Sequence, residues 1–502
     1  MKTAIRSIVL MLLPALPAAA QPQEEPVPIA FRRQVRSAVL DEDRAVIVAL
    51  PDLYERSAKS YPVLFLLDGE AQPTTRAAGL VRYLSGSRWP EMIVVGIPNV
   101  DRARDLSVVP LEQLPTSTPE GPARFLRFLT AELVPFIDAN YRTTRYRILY
   151  GASAAGQYAV YAMLNAPEAF DAFLTGGAAL GIGGTVLLDQ AEAFFARQKT
   201  FSKFLSLVSF ENDLLVATEY APQFVRIFER YRVPGFRRHV ETVPGAGHVP
   251  PTSLLDGLSA LFADWQPVAA PVLSPSGGRV PPGSEVRVEI GGRVDDVRCT
   301  VDGAEPDRRS RPCPVPVVVS GPATIKARTF RGELSESATA TAEFVAEPLQ
   351  PAIAAAGLAP GLAYRYFERP WFELPDRIDR EPEATGVVST VGLQTRRRAS
   401  GFVFEFGGFI EVPTDGVYTF SIEANAASKV FIDGTLLLTA RNSVRTVEES
   451  RAIGLKAGLH ALRILHANAW YAGPTLRFSY AGPGIGKREV PADVLFHEGD
   501  RK

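Results

Sequence analysis

Cysteine, histidine, methionine and tryptophan are all scarce in this 502-residue chain, with 2, 5, 4 and 4 copies respectively. Cys299 and Cys313 have no histidine nearby and no second cysteine pair to complete a ligand set, which excludes the usual four-ligand zinc site there. Two readings stay open for them: a disulfide closing a short loop in an oxidising compartment, or two thiols apart in space. Charge of either sign is also missing in excess, because 54 Lys and Arg face 55 Asp and Glu for a formal net of −1. Neither a global basic footprint nor a local basic patch is present, so nucleic acid is not an expected partner. Beyond the first twenty residues no apolar run approaches the roughly 20 residues needed to span a bilayer, and no transmembrane segment is expected there.

What the chain does have is length, cores and breaks. At about 150 residues per domain it has room for roughly three domains. A hydrophobic share of 46% against 22% charged residues supports packed cores, and 41 Pro with 40 Gly call for many turns and linkers. Residues 1–20 read as a signal peptide: Lys2 and Arg6 precede the apolar run Ile8 to Leu13, and Ala18-Ala19-Ala20 offers the small residues a signal peptidase accepts. Cleavage before Gln21 is expected, with a periplasmic or secreted location; no cysteine near that point offers a lipid attachment.

Residues 21–266 alternate strand and helix signals. Pro62 to Leu67, Met92 to Ile97, Ile148 to Tyr150 and Phe204 to Val208 are short continuous apolar runs, the pattern of parallel strands covered on both faces. Phe125, Leu126, Phe128, Leu129, Leu133, Phe136 and Ile137 recur at helical spacing, as does the stretch from Glu219 to Tyr231. A Pro-rich joint from Pro267 to Pro282 ends this α/β region. Residues 271–347 then read as a small β-sandwich, with Val286, Val288 and Ile290 alternating with polar residues. After a joint near Pro348 to Pro360, residues 358–498 are again β, with Val417 to Ile422 and Leu476 to Tyr480 alternating cleanly between Asp-Gly and Ala-Gly turns.

The main chemical signal is Tyr150-Gly151-Ala152-Ser153-Ala154-Ala155-Gly156. A buried strand precedes it and a helix-compatible segment follows, the setting that forces a nucleophilic serine onto a sharp turn. Ala155 stands where the G-x-S-x-G pattern has its second glycine, a departure that Ala tolerates where the backbone angle is ordinary. A serine hydroxyl needs a base. The α/β region holds only His239, inside a strand-like stretch, and His248, in the loop after it; His248 is the base candidate and His239 a surface or packing residue. In the order serine, acid, histidine the acid falls after the strand at Phe204, where Glu211 is the first choice and Asp213 the alternative. The amide of Ala154 is one expected oxyanion donor, and the loop Leu67-Asp68-Gly69-Glu70 supplies the second.

Taken together, Tyr61-Pro62-Val63-Leu64-Phe65-Leu66-Leu67-Asp68-Gly69, the Val95-Gly96-Ile97-Pro98 strand end, Arg104-Asp105, the Ser153 elbow and Glu211-Asn212-Asp213 before Gly247-His248 resemble the esterase family of α/β-hydrolases. That family includes enterochelin, feruloyl and acetyl-xylan esterases and the mycolyltransferase antigen. The resemblance implies an α/β-hydrolase fold and places the second oxyanion amide on Glu70. Ser274 to Gly278, Val301 to Pro306 and Ile325 to Arg328 resemble a small immunoglobulin-like domain found at the end of some chitobiases. Gly408 to Ile410, Asp415 to Phe420, Val430 to Gly434, Leu455 to His460 and Gly482 to Ile485 resemble the protective-antigen-type β-sandwich. Many sugar-binding members of that last group carry an Asp-Asp pair for calcium, and this chain has Ala424-Asn425 in the comparable stretch.

The expected whole is an α/β-hydrolase with two C-terminal all-β sandwich domains, working as an exported serine esterase without a cofactor. Its substrate would be a small-molecule or glycan-linked ester, acetyl or feruloyl in preference to a siderophore ester, with a polysaccharide or the cell envelope as a partner. Acyl transfer to a sugar is a related outcome. The rival reading is a noncatalytic glycan- or envelope-binding protein on a hydrolase scaffold, for which Ala155 speaks.

Overall fold

The structure is a computed structural model that describes residues 27–249, 252–292, 296–371, 373–441, 443, 445–469 and 473–499. The expected leader and its cleavage point lie outside the described residues. The chain forms a mixed α/β-hydrolase core followed by all-β sandwich structure.

The core is an eight-stranded sheet of β1 (Phe31–Ser37), β2 (Glu42–Ala49), β3 (Tyr61–Leu67), β4 (Ile93–Ile97), β5 (Thr143–Ala152), β6 (Ala172–Gly176), β7 (Phe204–Phe210) and β8 (Arg237–Val243), in the order β1-β2-β4-β3-β5-β6-β7-β8. The β1–β2 and β2–β4 pairs are antiparallel and the rest run parallel. Every residue of β3, β4 and β7 is buried. That explains their unbroken hydrophobicity: helices cover both faces, so neither side chain set meets water.

The alternation persists beneath the continuous run. On β3, Val63, Phe65 and Leu67 enter one core with Phe125, Phe128, Phe173 and Phe195, while Leu64 and Leu66 enter the other with Ala77, Val81, Leu254 and Leu258. The second layer comes from α1 (Ala71–Leu84) and a helix at Ser253–Leu261. The first comes in part from Ala154–Asn165, Ala221–Tyr231 and a helical run through Gly121–Arg127, a π-helical turn at Phe128–Leu133 and Val134–Asn140. Among the described residues no helix is long and apolar enough to cross a membrane.

The two β regions are not strung like beads. The strand Gly277–Val280 lies between Ala340–Ala346 of its own region and Val447–Leu455 of the last, parallel to both, so one nine-stranded sheet runs through the two regions. Close approach demands glycine here: a Cβ on Gly278 would lie 2.1 Å from the Ala452 carbonyl oxygen. Ser274 and Ser450 hydroxyls meet at 2.7 Å, and the Ser276 N–H donates to the Ser450 carbonyl at 2.9 Å. Ala452 itself is buried in the core of the smaller region. In the last region a second sheet, centred on Phe402–Val412 and Gly458–Asn468 paired over their full length, closes the sandwich.

Cys299 and Cys313 are bonded, with Cα atoms 5.2 Å apart. The smaller β region docks under the hydrolase: Glu336 accepts a hydrogen bond from the Ser60 N–H at 2.7 Å, and Leu334 packs against the helix-covered core. Ser60 precedes β3, so this joint sits at the sheet edge where the parallel strands begin. The opposite edge, where those strands end, carries the residues singled out for chemistry.

Candidate active site

β5 sits at the centre of the sheet between β3 and β6, and its last residue, Ala152, is followed directly by Ser153. Ser153 has φ 56° and ψ −124° and is succeeded at once by the helix Ala154–Asn165, hereafter α2. A serine in that region is strained, and such strain persists only where neighbours over-determine it. Here its N–H donates to the Gly176 carbonyl at 2.9 Å, while its own carbonyl accepts from Gln157 at 3.1 Å and Ala179 at 3.0 Å.

The need for small residues is specific to position. A Cβ at Gly151 would lie 2.1 Å from the Ala155 carbonyl oxygen, and one at Gly156 would lie 3.0 Å from the Ala178 Cβ. Ala155 is fully buried inside the first turn of α2 with its methyl accommodated. The close contacts therefore fall at 151 and 156, and the alanine between them leaves the elbow intact.

His248 lies in the turn after β8, and its Nε2 is 3.0 Å from Ser153 Oγ. On the far side of the ring, Nδ1 contacts Asp213 Oδ1. Asp213 is turned back by its own N–H, which donates to the Phe210 carbonyl at 3.2 Å, and its Oδ1 also accepts from the Leu214 N–H at 2.7 Å. Its side chain is 0% exposed against 37% for His248, so the carboxylate is shielded behind a ring open to incoming molecules. Gly177 makes room for it: a Cβ there would lie 2.6 Å from Asp213 Oδ2, and φ is +54°.

The expectation that Glu211 would meet the imidazole is corrected by this geometry. Glu211 is exposed, its N–H is tied to the Val243 carbonyl at 3.1 Å, and its Oε2 accepts from the Gly245 N–H at 2.7 Å. Backbone pairing directs it across to the histidine loop, so it braces that loop while Asp213 touches the ring. His239 pairs with Glu241 at 3.0 Å on β8.

The two expected oxyanion amides follow adjacent parallel strands at the same end of the sheet. Ala154 begins α2, where the first N–H groups have no partner within the helix. Glu70 is the N-cap residue of α1, just past β3, and β3 pairs in parallel with β5 with Leu66 opposite Tyr150. Beside Glu70 lies a set of contacts that the motif reading missed: Arg102 grips Asp68 with two bonds of 2.8 Å, and Asn99 Nδ2 donates to Asp68 at 2.8 Å and to Glu70 at 2.9 Å. The signal for it was the polar cluster Asn99 to Asp105 directly after a buried strand.

In the last region, Asn425 donates to the Gly473 carbonyl at 3.1 Å and accepts from the Thr475 N–H at 3.0 Å. Its amide braces a loop from both sides. Among the described residues no group of three or more His, Cys, Asp or Glu could hold a metal ion.

Two family models match parts of the chain. Residues 37–176 match the family model described as "Putative esterase", and residues 358–494 match that of the PA14 domain. The uncharacterized protein YbbA of Bacillus subtilis (strain 168) is 24% identical over 134 residues, 26% of this chain and 54% of YbbA. The chain thus spans about half the length of that curated relative. An IroE-like serine hydrolase from Shewanella oneidensis is 27% identical over 47% of this chain and 80% of its own, with a TM-score of 0.44. The siderophore hydrolase EstB from Aspergillus nidulans is 18% identical over 49% and 98%, with a TM-score of 0.40. The enterobactin esterase FES from Shigella flexneri, solved in the presence of 2,3-di-hydroxy-N-benzoyl-glycine, is 20% identical over 50% and 63%, with a TM-score of 0.37. The chain carries an α/β-hydrolase esterase domain and a PA14 β-sandwich domain.

Proposed function

We propose that this protein is an exported serine esterase. The observation that carries the reading is the unbroken contact chain from Ser153 Oγ through the His248 ring to a shielded Asp213, set on a strained elbow at the end of a central strand. In the proposed reaction His248 Nε2 removes the Ser153 proton as Oγ attacks the ester carbonyl. Asp213 holds the ring with Nδ1 protonated and stabilises the imidazolium that forms. The Ala154 and Glu70 amides receive the developing oxyanion. The imidazolium then protonates the leaving alcohol, which departs and leaves the acyl group on Oγ. Water, deprotonated by the same ring, attacks that acyl carbon, and the imidazolium returns the proton to Oγ as the acyl–Oγ bond breaks and the acid leaves. An alcohol in place of water would give acyl transfer through the same intermediate.

Export is supported by the leader pattern of residues 1–20 and by the Cys299–Cys313 bond, which suits an oxidising compartment. For substrate we favour a carbohydrate-linked acetyl or feruloyl ester over a siderophore ester, the middle region being read as the chitobiase-type immunoglobulin-like unit and the last as a polysaccharide or envelope contact. A feature of the PA14 domain supports that last role. Gly407 lies on the outer face of its sheet without a positive φ, and an added Cβ would meet nothing within 4 Å. It floors a depression of about 410 Å³ bordered by Arg365, Glu405, Phe409 and His497. Glycine inside a strand weakens it, and one required by neither packing nor backbone fits a surface that another molecule approaches closely.

The test is hydrolysis of short-chain p-nitrophenyl esters by the mature protein beside Ser153→Ala. Turnover lost in the variant supports the reading and justifies acetylated, feruloylated and siderophore substrates next. Equal background in both samples overturns it.

A further inference from the structure

The loop that offers the second oxyanion amide is held in an unusual way. Asp68, the first residue past β3, has φ +50°, a left-handed conformation for which glycine is the ordinary choice. Gly69 follows with no room to move: a Cβ there would lie 2.2 Å from the Ile97 nitrogen, and its N–H donates to the Ile97 carbonyl at 3.0 Å. Its carbonyl accepts from the Thr74 hydroxyl at 2.9 Å, and the Glu70 carbonyl accepts from the Thr74 N–H at 3.0 Å. Two of the three residues are thus clamped by neighbours, while the strained one carries a carboxylate where conformation alone would favour having no side chain.

That carboxylate is fully engaged. Oδ1 accepts from Arg102 Nε and Asn99 Nδ2, and Oδ2 from Arg102 Nη2, all at 2.8 Å. Arg102 is itself at a fixed place, on the short helix Arg102–Leu106. From that helix Asp105, fully buried, bonds Arg44 of β2 at 2.8 Å, and Arg104 bonds Glu42 at 2.7 Å. The Arg44 guanidinium lies over the Phe125 and Phe128 rings at 5.2 and 5.5 Å. A rigid ion network in the sheet edge therefore sets where Arg102 stands, and Arg102 sets the turn at Asp68.

From this we infer that Asp68 and Arg102 are positioning residues for the Glu70 amide. They hold the backbone in the left-handed turn that aims this N–H at the oxyanion before substrate arrives. The inference rests on the serine-esterase reading and deepens it. Neither side chain touches the reacting atoms; the pair acts through the backbone, where preorganised donors cost no reorganisation during reaction.

The experiment compares the full chain with Asp68→Gly, Arg102→Met and the double variant. Asp68→Gly keeps the backbone conformation accessible and removes only the clamp, and Arg102 is 45% exposed, so its loss leaves no buried void. Each variant is measured for kcat and KM on a p-nitrophenyl ester, for inhibition by a phenylboronic acid that adds to Ser153 and places an oxygen where the oxyanion develops, and for its melting temperature. The expected result is a kcat lower by about ten- to hundredfold, less than the loss for deleting a donor outright. KM stays within about twofold, the boronate constant weakens by the same factor as kcat/KM, and the melting temperature holds. The double variant loses no more than either single one, because the two residues act as a unit. Unchanged kcat in both single variants overturns the inference, as does a fall in kcat with boronate affinity intact. If Asp68→Gly melts early, Arg102→Met decides by the same criteria. A wild type whose turnover survives Ser153→Ala overturns the esterase reading and this inference with it.

Discussion

Asp213→Asn against Glu211→Gln separates two carboxylates only two residues apart. In the native site Asp213 Oδ1 faces His248 Nδ1 and also accepts a hydrogen bond from the Leu214 N–H. An asparagine that keeps its oxygen there, held by Leu214, still orients the ring but lacks the charge that stabilises the imidazolium. At a separation of about 4 Å and an effective dielectric near 20, a charge pair is worth about 4 kcal/mol. That converts to roughly a thousandfold in kcat. An asparagine that turns its NH2 to the ring enforces the tautomer unable to accept the serine proton, which deepens the loss. Glu211→Gln keeps an oxygen for the Gly245 N–H, so its turnover should stay within about threefold of wild type, as for surface changes in general. The assay is steady-state hydrolysis of a short-chain p-nitrophenyl ester at fixed pH, with circular dichroism to confirm folding. A larger loss in Glu211→Gln than in Asp213→Asn would make Glu211 the acid of the site.

Gly278→Val should open the shared β-sheet, since its Cβ would meet the Ala452 carbonyl, and should destabilise the all-β part by about 2–4 kcal/mol; thermal unfolding with limited proteolysis around residues 347–358 reads this, with Gly407→Ala as a control that changes little. Arg44→Met removes one of the two guanidinium groups on buried Asp105, Arg104 remaining at 2.7 Å, and should cost about 1.5–3 kcal/mol in denaturant unfolding, the range for a hydrogen bond to a charged group. His466, buried in the PA14 core beside Ser428, has its pKa pushed down to about 3 by burial. The unfolded chain takes that proton near pH 6.5 and the fold resists it, so this contribution is present above pH 6.5 and is lost as pH falls toward 3, by roughly 5 kcal/mol in full. Melting temperature followed from pH 7.5 to 4 should fall, and His466→Leu should flatten that limb. His460 has the opposite sign: burial lowers its pKa, but bonds to Asp433 and the Lys456 carbonyl outweigh this and raise it above 6.5. Its contribution is present below pH 6.5 and fades as pH rises through the folded value, so His460→Gln should weaken the alkaline decline.

Local patterns carried much of this structure. The unbroken apolar runs at Val63 and Phe204 marked strands covered on both faces, and the spacing from Phe125 to Ile137 marked the helical stretch, though not the π-helical turn inside it. Ser153 and His248 could be paired from chain order and loop position, because an elbow and a flexible loop each leave a signature in residue type. The choice between Glu211 and Asp213 could not be read that way. Both follow β7, and which one faces the ring depends on two backbone bonds, Glu211 to Val243 and Asp213 to Phe210, that only the folded turn defines. The shared sheet was equally hidden: Gly278 and Ala452 are far apart in the chain, and alternation within each strand says nothing about which strand lies beside it. The same holds for Arg102, whose partner Asp68 lies 34 residues earlier, before α1 and β4.

The central claim is that Ser153 is a nucleophile activated by His248. A fluorophosphonate that reacts covalently with activated serines tests it directly, by intact mass and peptide mapping of the labelled mature protein. One adduct is expected, on the peptide containing Ser153, absent in Ser153→Ala and strongly slowed in His248→Gln. A folded protein that takes no label, or takes it equally well without Ser153, would contradict it.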